Sequence, residues 1–493
     1  MENSRRRSEL RAGMSCLFAV LLWLGAPTGV NADQYGDFTY SASGGGVTIV
    51  GYTGGGGAVV IPDTIAGLPV TRIGAGAFQF RTSLSSITIP GSVTTIEHHA
   101  FWYCSGLTDA TLLNGVTDIG NSAFIACFSL KTVAIPASVT RIGDGAFFGC
   151  NTLAAVAIPG GVTNIGSDAF TGCVSLTNVF IPASVASLGT SPFASCTGLT
   201  AVVVDALNDH FSSLTGVLFN KDQTVLIQCP GGETGVYSIP GSVTTIASSA
   251  FAGCARLAGV TIPGSVTTIG GSAFSSCSSL TGITIPDSVT SLGNQAFNSC
   301  SSLTNVTLPK NITSIPDWLF AYCGLTGVVI PGSVTSIGQY AFRDCFSLNR
   351  ITIPGSVTSL ANGAFFECRN LAEVYFRGNA PGVGTDAFYY ALNATVYYLP
   401  GTAGWGATLG GRPTALWLPR IQAADSSFGV RTNQFGFNIT WAAGRPITVE
   451  ACANLASPVW QPVQTNFLST DSLYFSDPDW TNHPARLYRI RWP

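Results

Sequence analysis

Phenylalanine recurs in this chain every 23 residues. Phe78, Phe101, Phe124, Phe147, Phe170 and Phe193 are evenly spaced. After a gap of 58 come Phe251, Phe274, Phe297, Phe320, Phe342, Phe365 and Phe388, with one step of 22 among steps of 23. A fixed period over 300 residues means stacked copies of one supersecondary unit. In one copy Leu257, Val260 and Ile262 give the spacing L-x-x-V-x-I, which suits a short strand with one buried face. Pro263 ends it, because proline cannot donate to a ladder. Val266 and Ile269 form a second inward pair, Gly270-Gly271 marks a turn, and Ala273, Phe274 and Cys277 fit one helical turn. Burying five large apolar side chains gains about 1.5–3 kcal/mol each. Ordering one such unit loses about 1–2 kcal/mol for every backbone residue fixed. The unit is therefore stable only when stacked, as in a solenoid.

The motif written LTxVTIPGSVTxIGxxAFxxCxxL resembles the bacterial BspA-type leucine-rich repeat, over roughly Val59 to Leu392. The stretch "YGDFTYSASGGGVTIVGYTGGGGAVVIPDTIAGLPVTRIGAGAF" is similar to that family's N-terminal entry. The resemblance implies a curved or twisted parallel-sheet solenoid on exported or surface proteins, often in adhesion or recognition, and no shared chemistry. The fold class expected is a leucine-rich repeat solenoid of about thirteen 23-residue coils, parallel β with short helical turns. An inserted β-hairpin and a small C-terminal all-β domain complete it.

The domain reading follows from the same pattern. Residues 1–32 read as a signal peptide: Arg5, Arg6, Arg7 and Arg11 precede an apolar stretch from Met14 to Leu24, and Val30-Asn31-Ala32 suits cleavage. Residues 33–60 form an N-terminal β cap and 61–395 the solenoid. The extra length after Phe193 holds a hairpin, about 205–236, with Val217, Leu218 and Phe219 facing Val225, Leu226 and Ile227. It is either structural elaboration or a protruding binding element. Residues 396–418 cap the open end. In 419–493 the alternation of Phe435, Phe437, Ile439 and Trp441, and of Tyr488, Ile490 and Trp492, suggests a small sandwich. That domain is a surface-attachment module, a sugar-binding module or a spacer.

Eleven cysteines keep one repeat position: Cys104, Cys127, Cys150, Cys173, Cys196, Cys254, Cys277, Cys300, Cys323, Cys345 and Cys368. They lack the paired spacing of zinc ligands. Equivalent residues of stacked coils point the same way, which disfavours disulfides. The column is read as buried unpaired thiols acting as small hydrophobes; a few disulfides stay open for an exported chain. A threonine column, Thr94, Thr117, Thr140, Thr163, Thr244, Thr267, Thr290, Thr313, Thr335 and Thr358, either bonds locally to backbone or orders an extended ligand.

Chemistry-bearing motifs are missing: there is no H-E-x-x-H, G-x-S-x-G, P-loop or C-x-x-C. Asp477 and Asp479 near Asp471 have oxygen ligands of the kind calcium takes, but solvated loop acids explain them as well. No catalytic residue, metal or cofactor is assigned. A formal net charge of −3 and 10% charged residues argue against nucleic acid as a partner. Residues around each Phe vary freely and include Trp102, Tyr103, Phe148, Trp318, Tyr322, Tyr340, Phe366, Tyr389 and Tyr390, a candidate aromatic ridge. Phe180 and Tyr375 stand out on the strands. The chain is accordingly expected to be an exported, non-enzymatic adhesion or recognition scaffold for an extracellular protein or glycan, with possible cell-envelope attachment through its C-terminal domain. The alternatives are an exported polysaccharide-acting enzyme with its site in the hairpin or tail, and a self-assembling surface-layer or matrix component.

Overall fold

The computed structural model describes residues 32–431, 434–442, 444–455, 458–483 and 485–492. The expected leader, 1–32, lies outside them apart from its last residue.

Each coil has three edges. The first is the L-x-x-V-x-I strand: Leu84–Ile89, Asp109–Leu112 and Thr132–Ala134 pair in parallel, and later Arg350–Ile353, Glu373–Phe376 and Thr395–Tyr398 do the same. The second is a two-residue strand. Thr268–Ile269 pairs in parallel with Thr245–Ile246 on one side and Ser291–Leu292 on the other. The third edge carries the phenylalanine. Its backbone also bonds from coil to coil, as from Phe274 N to Ala296 O at 2.8 Å.

The short helical turn expected at Ala273, Phe274 and Cys277 is corrected to a run of tight turns. Two residues per coil, two before and two after each Phe, have left-handed backbones; in this copy they are Ser272 (φ 54°) and Ser276 (φ 61°). Those reversals send alternate N–H groups out of the segment. Ser272, Phe274 and Ser276 donate to the next coil, while Ser275 and Cys277 donate three residues back within their own. A helix would aim its N–H groups along its own axis and leave this edge unable to bond to the next coil.

The rings of successive Phe residues stack 4.8–5.6 Å apart from Phe78 to Phe193 and 4.8–5.8 Å apart from Phe251 to Phe388. The solenoid has about fifteen coils, two more than the phenylalanines mark. In the first, Tyr52 stacks on Phe78 at 5.1 Å. In the second, inside the insert, the Cys229 N–H reaches Ala250 O at 2.7 Å, the bond a phenylalanine makes elsewhere, and Tyr237 fills toward Phe251 at 5.9 Å.

The insert forms part of the wall. Phe211–Leu214, Val217–Asn220 and Val225–Gln228 make an antiparallel meander. Its last strand then heads the second-edge ladder by pairing in parallel with Thr245–Ile246. Val217, Leu218, Phe219 and Leu226 are fully buried. The second-edge ladder breaks again between Ser291–Leu292 and Ser314–Ile315. There Pro316 stands where Gly270 and Gly293 donate to the preceding coil, and proline has no N–H to give.

At the end of the stack, Thr408–Leu409 and Arg412–Leu416 form a hairpin whose second strand pairs with Thr395–Tyr398. Gly410 lies so close over Phe388 that a Cβ there would sit 2.8 Å from the ring. Beyond it two antiparallel sheets, one built on Gln434–Thr440 and one on Pro446–Cys452, bury Phe437, Ile439, Trp441, Ile447, Val449, Leu468 and Phe475 between them.

Candidate functional site

The repeat thiols come first, because their column runs the length of the molecule. All eleven are buried and unbonded to one another, as are Cys229 and Cys452. Ten of the eleven place Sγ 2.9–3.3 Å from the carbonyl oxygen of the Phe one coil earlier. Cys254 follows the insert, has no Phe below it, and instead points at Pro230 O at 3.5 Å. Burial pushes the Cys150, Cys196 and Cys368 thiols up to about 12. A thiol held protonated is a poor nucleophile and a poor metal ligand. Among the described residues no group of three His, Cys, Asp or Glu is placed to hold a metal ion.

The threonine column is also turned to the backbone. Thr94, Thr117, Thr140, Thr163, Thr244, Thr267, Thr335 and Thr358 donate their hydroxyls to a carbonyl of the preceding coil at 3.1–3.4 Å. The tail carboxylates are likewise occupied. Asp477 is buried against Arg486 at 2.9 Å and accepts from the Tyr488 hydroxyl at 2.8 Å. Glu450 meets Arg489 and Arg491 at 2.7 and 2.9 Å, and Asp471 pairs with Arg377. Asp477 is not the solvated loop acid that the sequence suggested, since it is buried against Arg486, whereas Asp471 and Asp479 are exposed at a bend and a turn as that reading has them.

The aromatic candidates divide into two clusters and three separate rings. Near the C-terminal end Trp318, Tyr340, Phe366, Tyr389 and Tyr390 contact one another in series, with centroids 4.4–5.7 Å apart. The Arg343 guanidinium sits among Trp318, Tyr322, Tyr340 and Phe366 at 4.9–5.6 Å and pairs with Asp344 at 3.1 Å. That cation fills the space between the rings and holds them together. Near the N-terminal end Trp102 and Tyr103 join Phe80 and Phe128, which the sequence reading did not single out. The centroid distances are 4.6 Å for Phe80–Trp102, 5.9 Å for Phe80–Tyr103 and 5.5 Å for Tyr103–Phe128. His99 packs on Trp102 at 5.2 Å, and burial, then the neighbouring His98, holds its imidazole below the usual histidine range. The signal for Phe80 was its position: it stands two residues after Phe78, as Tyr103 stands after Phe101.

Phe148 is half-buried one coil beyond this cluster, and Phe180 lies exposed on a first-edge strand. Tyr375 also faces outward from the first edge, but the chain itself covers it. Trp417 packs on it at 4.6 Å, Tyr397 stacks on it at 5.0 Å, and both tyrosines rest against the core of the C-terminal domain.

The same backbone rule governs most of these rings. Phe80, Tyr103, Tyr322 and Tyr390 occupy the left-handed position after Phe, and Trp318 and Tyr340 the one before it. Ala126, Gly149, Gly172, Ser195 and Gly253 hold the former position in other coils.

Residues 71–200, 235–349 and 335–403 match the family described as BspA type leucine rich repeat region, in six copies. Among solved structures the chain is similar to a leucine rich cell surface protein of Faecalibacterium prausnitzii, at 29% identity over 72% of this chain and 97% of that one, with a TM-score of 0.54. It shares its fold with a leucine-rich repeat protein of Eubacterium ventriosum, at 24% identity, 76% and 96% coverage and a TM-score of 0.59. The pneumococcal vaccine antigen PcpA is similar in fold, at 22% identity, 76% and 95% coverage and a TM-score of 0.57. None of the curated proteins compared matches the chain.

Proposed function

The chain belongs to the BspA-type leucine-rich repeat family, and we propose that it is an exported recognition scaffold that binds an extracellular protein or glycan and does no chemistry on it. The observation that carries the proposal is the placing of bulky rings at left-handed turn positions on an exposed edge. Phe80 is 51% and Tyr103 41% exposed at a place that seven sister coils give to Gly, Ser or Ala. The coils act as internal controls for one another. Seven sister coils fold with a small residue there and two with Asp344 or Glu367, so the fold does not require a ring at this place, and the exposed rings answer another demand. The leader read at residues 1–32 and the cell-surface description of the F. prausnitzii relative support export. The pairing of Glu450 and Asp477 with arginines favours binding over hydrolysis in the tail, since a glycosidase needs two carboxyl groups free to act on substrate.

The test is a binding screen of the whole mature chain, residues 33–493, against arrayed glycans and extracellular matrix proteins, run beside turnover assays on the glycans that bind. Saturable binding without product formation is the expected result. Release of reducing ends, abolished by a single carboxylate substitution, would replace the scaffold with an enzyme.

A further inference from the structure

Resting on that recognition role, we propose that Phe80, Trp102, Tyr103 and Phe128 form a binding strip for a neutral, extended polysaccharide, one sugar ring per coil. Three observations point to this chemistry. The first is conformational. Phe80 (φ 61°) and Tyr103 (φ 57°) adopt a backbone that disfavours any side chain, whereas Gly149 and Gly172 occupy the same site two and three coils on. Both rings remain substantially exposed, so burial does not offset the strain.

The second observation is electrostatic. In the five-residue turn segments of the six coils from Phe78 to Phe193, 76–80, 99–103, 122–126, 145–149, 168–172 and 191–195, Asp168 is the one charged residue. In the last three coils the same segments hold Arg343, Asp344, Glu367 and Asp386. The N-terminal strip thus offers aromatic faces flanked by uncharged polar groups, including exposed Gln79. Within these turn segments an anionic polymer or an acidic protein finds no cation, unlike in the Arg343 cluster; Arg81 follows Phe80 with its Nε buried, and Lys131 lies three residues beyond Phe128. Aromatic faces carry partial negative charge, which complements the polarised C–H faces of a pyranose. Ring hydroxyls then need only neutral hydrogen-bond partners.

The third is periodicity. Phe80–Trp102 at 4.6 Å and Tyr103–Phe128 at 5.5 Å are contacts between successive coils. The rings at equivalent positions, Phe80 and Tyr103, lie 5.9 Å apart, and the backbone step of stacked strands, about 4.8 Å, is also close to the length of one pyranose in an extended chain. A linear glycan laid along the solenoid axis therefore stays in register with the rings.

The experiment is titration calorimetry of the mature chain with cello-, xylo- and manno-oligosaccharides of one to six sugars, repeated on Tyr103→Gly and Trp102→Ala. At least one series should bind, with affinity rising to about three sugars, the number of coils that carry the strip, and levelling beyond. Each substitution should weaken it about tenfold, as removal of an aromatic anchor does. Tyr103→Gly should also melt at the same temperature or higher, because glycine relieves the strained φ; a merely structural tyrosine would lose stability instead. Failure of every neutral oligosaccharide to bind overturns the strip. So does glycan binding that neither substitution weakens, although the recognition role then stands. A protein ligand lost in both variants, with no glycan bound, also removes the polysaccharide and keeps the scaffold. A chain that binds nothing in the wider screen removes both.

Discussion

At Cys150 the side chain is wholly buried and Sγ lies 3.3 Å from the carbonyl oxygen of Phe124. That oxygen already accepts from the Cys127 N–H. The thiol gives it a second donor in a place where water cannot reach, and it is small enough to fit beneath a stacked ring. A column of small apolar residues was legible in the sequence. The hydrogen bond was not, because it depends on where the previous coil aims its carbonyl. The buried column has a consequence at high pH. The folded thiols of Cys150, Cys196 and Cys368 are raised from an ordinary value of 9.0 to about 12. A raised acid means that the native state holds its proton longer than the unfolded chain does. Stability is therefore unaffected below about pH 9 and falls as pH rises from there toward 12. Near pH 10 each of the three should lose about 1.4 kcal/mol, together about 4 kcal/mol. Denaturant midpoints at pH 8 and pH 10 test this against a triple Cys→Ser variant, which cannot titrate yet can donate to the same carbonyls. The variant should decline less over that interval; an equal decline would falsify the assignment.

Among the elements, those with a local signature were readable and those built by distant packing were not. The coil was legible because every copy must present the same ring to its neighbours. The turn edge was misread as helical because Ala273, Phe274 and Cys277 satisfy helical spacing equally well, and the left-handed reversals at Ser272 and Ser276 carry no obligatory glycine. The coils at Tyr52 and Cys229 escaped the phenylalanine count because another residue fills the ring's place. Tyr375 looked available because its cover is supplied from 42 residues later, by Trp417. This last contact decides how the tail is held. Trp417 is nearly buried, packs on Tyr375, lies under the Arg377 guanidinium at 5.7 Å, and accepts from Trp441 Nε1 through its carbonyl at 2.8 Å. Arg377 bridges onward to Asp471. Trp417→Ala should cost about 3–5 kcal/mol, and the loss should fall on the junction. Calorimetry of the variant should show the tail melting ahead of an unchanged solenoid. A uniform shift of one transition would mean that the tail is not docked through this side chain.

For the molecule as a whole, the insert is where two cores meet. Leu218 packs with the first half, while Val217, Phe219, Leu226 and Cys229 pack with the second. The two phenylalanine stacks end at Phe193 and begin again at Phe251, joined by backbone bonds such as Ser195 N to Ala252 O at 2.9 Å and Gly232 N to Leu199 O at 2.7 Å. In a solenoid each coil is stabilised by its neighbours alone, so cooperativity across the molecule is limited by its weakest interface. The second-edge ladder stops at Ser187–Leu188 and resumes at Val225–Gln228, as it also breaks before Ser314–Ile315, but the buried core of the solenoid divides only at the insert among the described residues, which makes this interface the place where that limit falls. Phe219 is the largest fully buried side chain contributed by the insert. Phe219→Ala should cost about 3–5 kcal/mol and should uncouple the halves without unfolding either. Hydrogen exchange followed by peptide mass spectrometry separates the outcomes. In the parent chain, peptides from 84–204 and 237–400 should share one opening free energy in their most protected amides. In the variant the two sets should diverge, with the losses largest beside the insert and fading over the next few coils. Equal loss of protection in both sets would show that the two stacks fold as one unit and that the insert is no seam. Divergence in the variant would mean that Phe219 carries most of the coupling between the halves, beyond what the backbone bonds across the interface supply.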